Sequence, residues 1–240
     1  MLAEIKKIYQ LPESEYKGFS EKELLLTEKR LNISFPKTLR EYYLEFGNTE
    51  CINQSHNYLF CPENIRFVGD FLCFYEENQG VVSWGIHKND LHLDNPPVWG
   101  NYGSEAKPNW IIQTQKTSDF WLYMAIYNGV LGGLTYNANA LKNAFKENSY
   151  ISPEAVKYVR ENFKKIEEIS FVEQEIYQNE FAVISISFEV NNNLQGQATA
   201  LFLGSSQQEE FDNLLDNLED LNLQWSYISY EDDEDWEDEM

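Results

Sequence analysis

The sequence predicts an α+β protein: strands packed against helices, in two unequal parts that end in an acidic tail. Three observations predict it. Amphipathic helical stretches and short runs rich in aromatic and β-branched residues follow one another, but never in the regular strand, helix, strand order of a parallel sheet. A hydrophobic fraction of 42% and an aromatic fraction of 15% over 240 residues are ample for packed cores. Charge is divided along the chain: residues 1–145 carry 17 acids and 13 Lys or Arg, whereas residues 146–240 carry 23 and 5. That divide coincides with a fresh helix start at Ser152, Pro153 and Glu154. The expected parts are therefore a first domain, 1–147, a smaller C-terminal α+β module, 148–230, and a disordered acidic tail, 231–240.

In the first part, Ser20 and Glu23 form an S-x-x-E capping box ahead of a short helix with Leu24, Leu25 and Leu31 on its apolar stripe. In "FPKTLREYYLEFGN", Pro36 suits a first helical turn, and Leu39, Tyr42, Tyr43 and Phe46 recur at the spacing of one buried face. Gly47 and Asn48 suit a left-handed termination. "FLCFY" and "VVSWGI" flank "EENQG", the pattern of a β-hairpin turning at Asn78, Gln79 and Gly80, and "WIIQT" is a further strand. "DNPPVWGNYG" is expected to be a loop, because two prolines and two glycines are foreign to a central strand. Ser118 is expected to cap the helix "DFWLYMAIYNGVL", closed by Gly132 and Gly133. A helix that is apolar all round belongs deep in the core.

The second part opens with a helix over 153–165 that places Val156, Val159 and Phe163 on one face. Strands are expected near 169–177, 181–190 and 197–203, the second alternating with period two through "ISISFEV". An amphipathic helix, 206–221, carries Phe211, Leu214, Leu215, Leu218 and Leu221 in register. A last strand, "LQWSYISY", with Leu223, Trp225 and Tyr227 on one face, runs into the tail.

Four stretches, "ISFPKTLREYYLEFGN", "GDFLCFYEENQGVVSWGI", "NPPVW" and "TSDFWLYMAIYNGVL", follow one another in an order and spacing that resembles the SUKH superfamily (SMI1/KNR4-like) over about residues 20–137. The resemblance implies an antiparallel sheet with packed helices and no active site. It also implies the role of many bacterial members, an immunity protein or antitoxin that binds a co-encoded toxin, often a nuclease, and neutralises it. The added C-terminal module and tail depart from the short, single-domain members.

Net charge is −22, and the last basic residue is Lys165, after which 20 acids follow. Such a field repels phosphate backbones and speeds encounters with a basic protein. Charge thus favours a partner with a basic surface and no direct nucleic-acid binding, and the resemblance implies that this partner is a cognate toxin. No stretch approaches the roughly 18 apolar residues of a membrane span, and the start lacks a signal-peptide core, so a cytoplasmic location is expected. Cys51, Cys61 and Cys73 are odd in number and are expected to be reduced thiols.

Enzyme chemistry finds little support. Cys51, His56 and Cys61 are spaced C-x4-H-x4-C without any CxxC or HExxH knuckle. His87, Asp90 and His92 lack a nucleophile in an activating context, and Gly129, Gly132 and Gly133 follow a helix where a phosphate cradle would precede one. The chain is expected to be no enzyme and to need no cofactor or metal. The candidate partner-binding residues are Trp99 and Tyr102 in the turn-rich loop, and Asp232, Asp233, Glu234, Asp235, Trp236, Glu237 and Asp238 in the tail, with Trp236 as an apolar latch. The alternative is a cytoplasmic regulatory or scaffolding adaptor that binds several protein partners.

Overall fold

The computed structural model describes residues 1–104, 106–143 and 150–230, and over these the chain is α+β, with two antiparallel sheets. It divides into two compact units, Met1–Asn128 and Gly129–Met240.

The first unit contains α1 (Leu2–Tyr9), α2 (Glu21–Leu31), α3 (Lys37–Glu45), α4 (Glu50–Asn53), β1 (Tyr58–Leu59), β2 (Arg66–Val68), β3 (Phe71–Glu76), β4 (Ser83–His87), β5 (Val98–Asn101), β6 (Trp110–Thr114) and α5 (Thr117–Asn128). Its sheet runs β1, β3, β4, β5, β6, with β2 also paired to β3. The capping box at Ser20 and Glu23 starts α2, and Leu39, Tyr42, Tyr43 and Phe46 are all fully buried around α3. Helix α5 lies at the centre, its Trp121 stacked on Tyr42 at 3.8 Å between ring centroids and tilted against Phe74 on the sheet. A helix packed on both sides has no polar face to show.

The second unit contains β7 (Tyr136–Leu141), α6 (Pro153–Asn162), β8 (Lys164–Lys165), β9 (Gln174–Gln178), β10 (Ala182–Asn191), β11 (Leu194–Ser205), α7 (Gln208–Glu219) and β12 (Tyr227–Ile228). Its sheet order is β12, β7, β11, β10, β9, β8. Ile184, Ile186 and Phe188 of β10 join Leu201 and Leu203 of β11, Val156 and Val159 of α6, and Phe211, Leu215 and Leu218 of α7 in one core. Asn192 and Asn193 both adopt left-handed backbone, at φ 53° and 62°, closing the two-residue turn between β10 and β11.

Several expectations are corrected. The units meet at Asn128 and Gly129, not at 147/148, because β7 pairs along β11 from Tyr136 and Ser205 to Leu141 and Ala200. The segment "DNPPVWGNYG" is not all loop: Val98–Asn101 forms β5, an interior strand between β4 and β6. Pro96 and Pro97 precede this strand, and Gly100 is required inside it, since a Cβ there would lie 2.9 Å from the Tyr102 ring and 3.1 Å from Trp84 Nε1. Ser118 does not cap α5, which starts at Thr117; its amide is met by Asn95 Oδ1 at 2.9 Å. Gly47 is not in the left-handed region but fits a close approach, where a Cβ would stand 2.6 Å from the Tyr43 carbonyl oxygen. Helix α6 ends at Asn162, and Lys164–Lys165 pairs with β9 as a short strand. Of "LQWSYISY", only Tyr227 and Ile228 pair as a strand. The expected tail, 231–240, lies outside the described residues.

Candidate interaction surfaces

The two candidate residues of the first unit do not act together. Trp99 is half-buried in β5, and Tyr102 follows that strand with 49% of its surface exposed. Three positions apart on an extended chain, they point to opposite faces. Tyr102 lies beside Gly100 on the face of Trp84, and its hydroxyl donates to Gln113 Oε1 at 2.6 Å. Trp84 Nε1 donates to the same oxygen at 3.2 Å.

Trp99 belongs to an aromatic set on the other face. The Phe71 ring stacks on Trp110 at 3.9 Å and 14°, and meets Trp99 edge to face at 5.8 Å and His87 at 5.0 Å. The register explains the gathering: Phe71 pairs with His87, and two residues along the same strands Gly85 pairs with both Cys73 and Trp99. Trp99 Nε1 is buried with no hydrogen-bond partner among the described residues. Sequence reasoning singled out Trp99 as a partner-binding candidate but not Phe71, His87 or Trp110, which join it only through strand register. Aromatic groups of this kind anchor protein interfaces.

His87 is thus an aromatic-packed side chain whose Nδ1 accepts from the Asn89 amide at 3.3 Å. His56 packs against the Tyr127 ring, and burial pushes its pKa below the ordinary value. Cys51, Cys61 and Cys73 are free thiols. Among the described residues no group of three or more His, Cys, Asp or Glu is placed to hold a metal ion.

The described chain also contains no helix long and apolar enough to cross a membrane. Comparison with family models, with curated proteins and with solved structures finds no match.

The second unit offers a charged surface. Helix α7 buries Phe211, Leu214, Leu215 and Leu218 and carries Glu209, Glu210, Asp212, Asp216 and Glu219, followed by Asp220. Glu209 and Glu210 in the first turn complement the helix dipole, but Glu219 and Asp220 sit at its negative end with no basic residue in the last turn. No ion pair among the described residues reaches α7; Asp212 accepts one hydrogen bond, from the Tyr230 hydroxyl at 2.9 Å. The cations of this unit with described ion pairs engage other carboxylates: Lys142 pairs with Glu189, Lys157 with Glu161, and Arg160 and Lys165 share Glu175. The tail candidates Asp232, Asp233, Glu234, Asp235, Trp236, Glu237 and Asp238 lie outside the described residues.

Proposed function

We propose that this chain is a non-catalytic, cytoplasmic immunity protein of the SUKH type that binds a cognate bacterial toxin and occludes a basic cleft on it. The observation that carries the reading is the outer face of α7. Its carboxylates have no ion-pair partner among the described residues, and those at its C-terminal end oppose the helix dipole. Helix stability therefore does not account for Glu219 and Asp220, whereas a basic partner does. The 20 acids after Lys165 extend the same field, which accelerates encounter with a cationic surface and competes with the polyanion a nuclease cleft would hold. The resemblance in residues 20–137 supplies the toxin as that partner. Co-expression with candidate nuclease toxin domains tests the reading: cells survive with one of them, and the association rate of that purified pair falls steeply with salt. Survival equal to that of an empty vector would overturn it.

One observation favours a second reading, an adaptor that binds several protein partners. The set of Phe71, Trp99 and Trp110 in the first unit carries little charge and provides an apolar anchor of its own. An adaptor would bind more than one protein, with rates that depend little on salt.

A further inference from the structure

The β10–β11 hairpin outruns both neighbouring strands. Pairing of β9 with β10 ends at Gln174 and Ser187, and pairing of β7 with β11 ends at Leu141 and Ala200. Beyond these points residues 188–198 continue as a two-stranded ribbon, with register breaks on either side of Phe188. Bulges of this kind bend a strand pair and re-aim its side chains. Here they set the ribbon beside α6, where Arg160 Nη2 reaches Gln195 Oε1 at 2.9 Å.

Between α6 and the ribbon lies a groove of about 440 Å³. That is within the range of small-molecule sites, roughly 300–1,000 Å³. Ile151, Pro153, Val156, Phe188 and Ala198 line it, and Gly196 contributes no side chain that would narrow it. Two cations, Lys157 and Arg160, and one carboxylate, Glu161, complete the lining. Glu161 is held loosely by Lys157 at 3.8 Å, both side chains being well exposed.

Arg160 is held by three hydrogen bonds and an aromatic ring. Its Nε and Nη2 donate to Glu175 Oε2 at 3.1 and 2.9 Å, and the guanidinium stands 5.4 Å from the centre of the Phe188 ring. Glu175 is further occupied by the Tyr177 hydroxyl at 2.7 Å and by Lys165 at 3.4 Å. Arg160 Nη1 has no hydrogen-bond partner among the described residues. Lys157, Arg160, Lys164 and Lys165 stand within nine residues of one another, in a unit whose sequence otherwise holds only Lys142 and Lys146 against 23 acids. The groove is thus apolar in its body, and at one wall it presents Lys157 and Arg160 beside Glu161, in the stretch of the unit richest in Lys and Arg.

We propose that this groove binds a small amphipathic anion, an acyl or aryl carboxylate. Its apolar body lies against Ile151, Val156 and Phe188, and its carboxylate meets Arg160 Nη1 and Lys157. The site does not depend on the immunity reading. Calorimetric titration of the full chain with octanoate, and with octanol as the neutral match, tests it. Octanoate is expected to bind saturably at one site, and octanol about tenfold more weakly, the difference a hydrogen bond to a charged group makes. Arg160→Gln is expected to weaken octanoate at least about tenfold, but it also strips Glu175 of its partner and can disturb the fold. Lys157→Glu avoids that difficulty, since the Lys157 side chain is 73% exposed. It is expected to weaken octanoate about fivefold and leave octanol unchanged. Absence of saturable octanoate binding, equal affinity for octanol, or an unchanged octanoate affinity in Lys157→Glu would each overturn the proposal.

Discussion

Asn128, the last residue of α5, is fully buried and shows what one polar side chain contributes here. Its Nδ2 lies 2.8 Å from the Ile52 carbonyl, 3.0 Å from the Asn57 carbonyl and 3.0 Å from the Tyr75 hydroxyl, and its Oδ1 accepts from the Asn57 amide at 2.9 Å. Asn128→Leu keeps the volume but leaves several buried backbone groups without partners, each costing about 1–3 kcal/mol. A loss of about 3 kcal/mol or more is expected in urea unfolding. Glu175 gives a pH-dependent counterpart. Burial pushes its carboxyl up, but hydrogen bonds from Tyr177 and Arg160 outweigh this and hold it below the ordinary 4.5. The unfolded chain therefore binds this proton more readily than the folded one, so the stabilisation is complete above about pH 4.5 and is lost as pH falls below it. In Glu175→Gln that part of the acid dependence should vanish from thermal melts, alongside a lower stability at neutral pH from the cations left unpaired. Neither role is legible in the sequence. Asn128 reads as the polar end of an apolar helix, and the partners of its side chain lie 53 to 76 positions away.

At the scale of elements, legibility follows how local the cause is. The capping box of α2 and the buried stripe of α3 are set by residues three and four apart, and both read correctly. The start of α5 depends on Asn95, 23 positions back, and so Ser118 was a misleading cap. Strand β5 hides behind two prolines, and β7, "YNANAL", places small alanines on its core face where larger apolar residues would announce a strand. The apolar face of α7 was legible from its spacing, while the lack of ion pairs to its acids among the described residues was not, because pairing is a matter of which cations fold nearby. That state yields a prediction with opposite signs on two measurements. Replacing Glu219 and Asp220 by lysine removes charge that opposes the dipole and is expected to raise stability by about 0.5–1 kcal/mol in chemical unfolding. The same variant should associate more slowly with a basic partner and with a shallower salt dependence. A variant both less stable and unchanged in association rate would show that these acids serve the helix itself.

Across the whole molecule, the charge divide and the structural divide do not coincide, and the mismatch can be tested by cutting the chain. The sequence shift near residue 146 marks where acids begin to dominate, a property of the surface. The structural boundary at Asn128 marks where backbone pairing changes from one sheet to the other, a property of the core. Between them lies β7, which supplies Ala138 and Ala140, both fully buried, and bridges β11 to β12. Ahead of it, Val130 and Leu134 press on Gly204 of β11, where a Cβ would stand 2.7 Å from Leu134. A fragment of residues 129–240 keeps all of these contacts. A fragment of residues 148–240 loses them, strands β12 without its neighbour and opens an edge along β11, which invites pairing with other chains. The longer fragment is therefore expected to melt cooperatively as a monomer by circular dichroism and light scattering, and the shorter one to aggregate or to melt without a clear transition. Cooperative, monomeric melting of 148–240 would mean that β7 is dispensable to the core it completes, and that the boundary follows the charge after all.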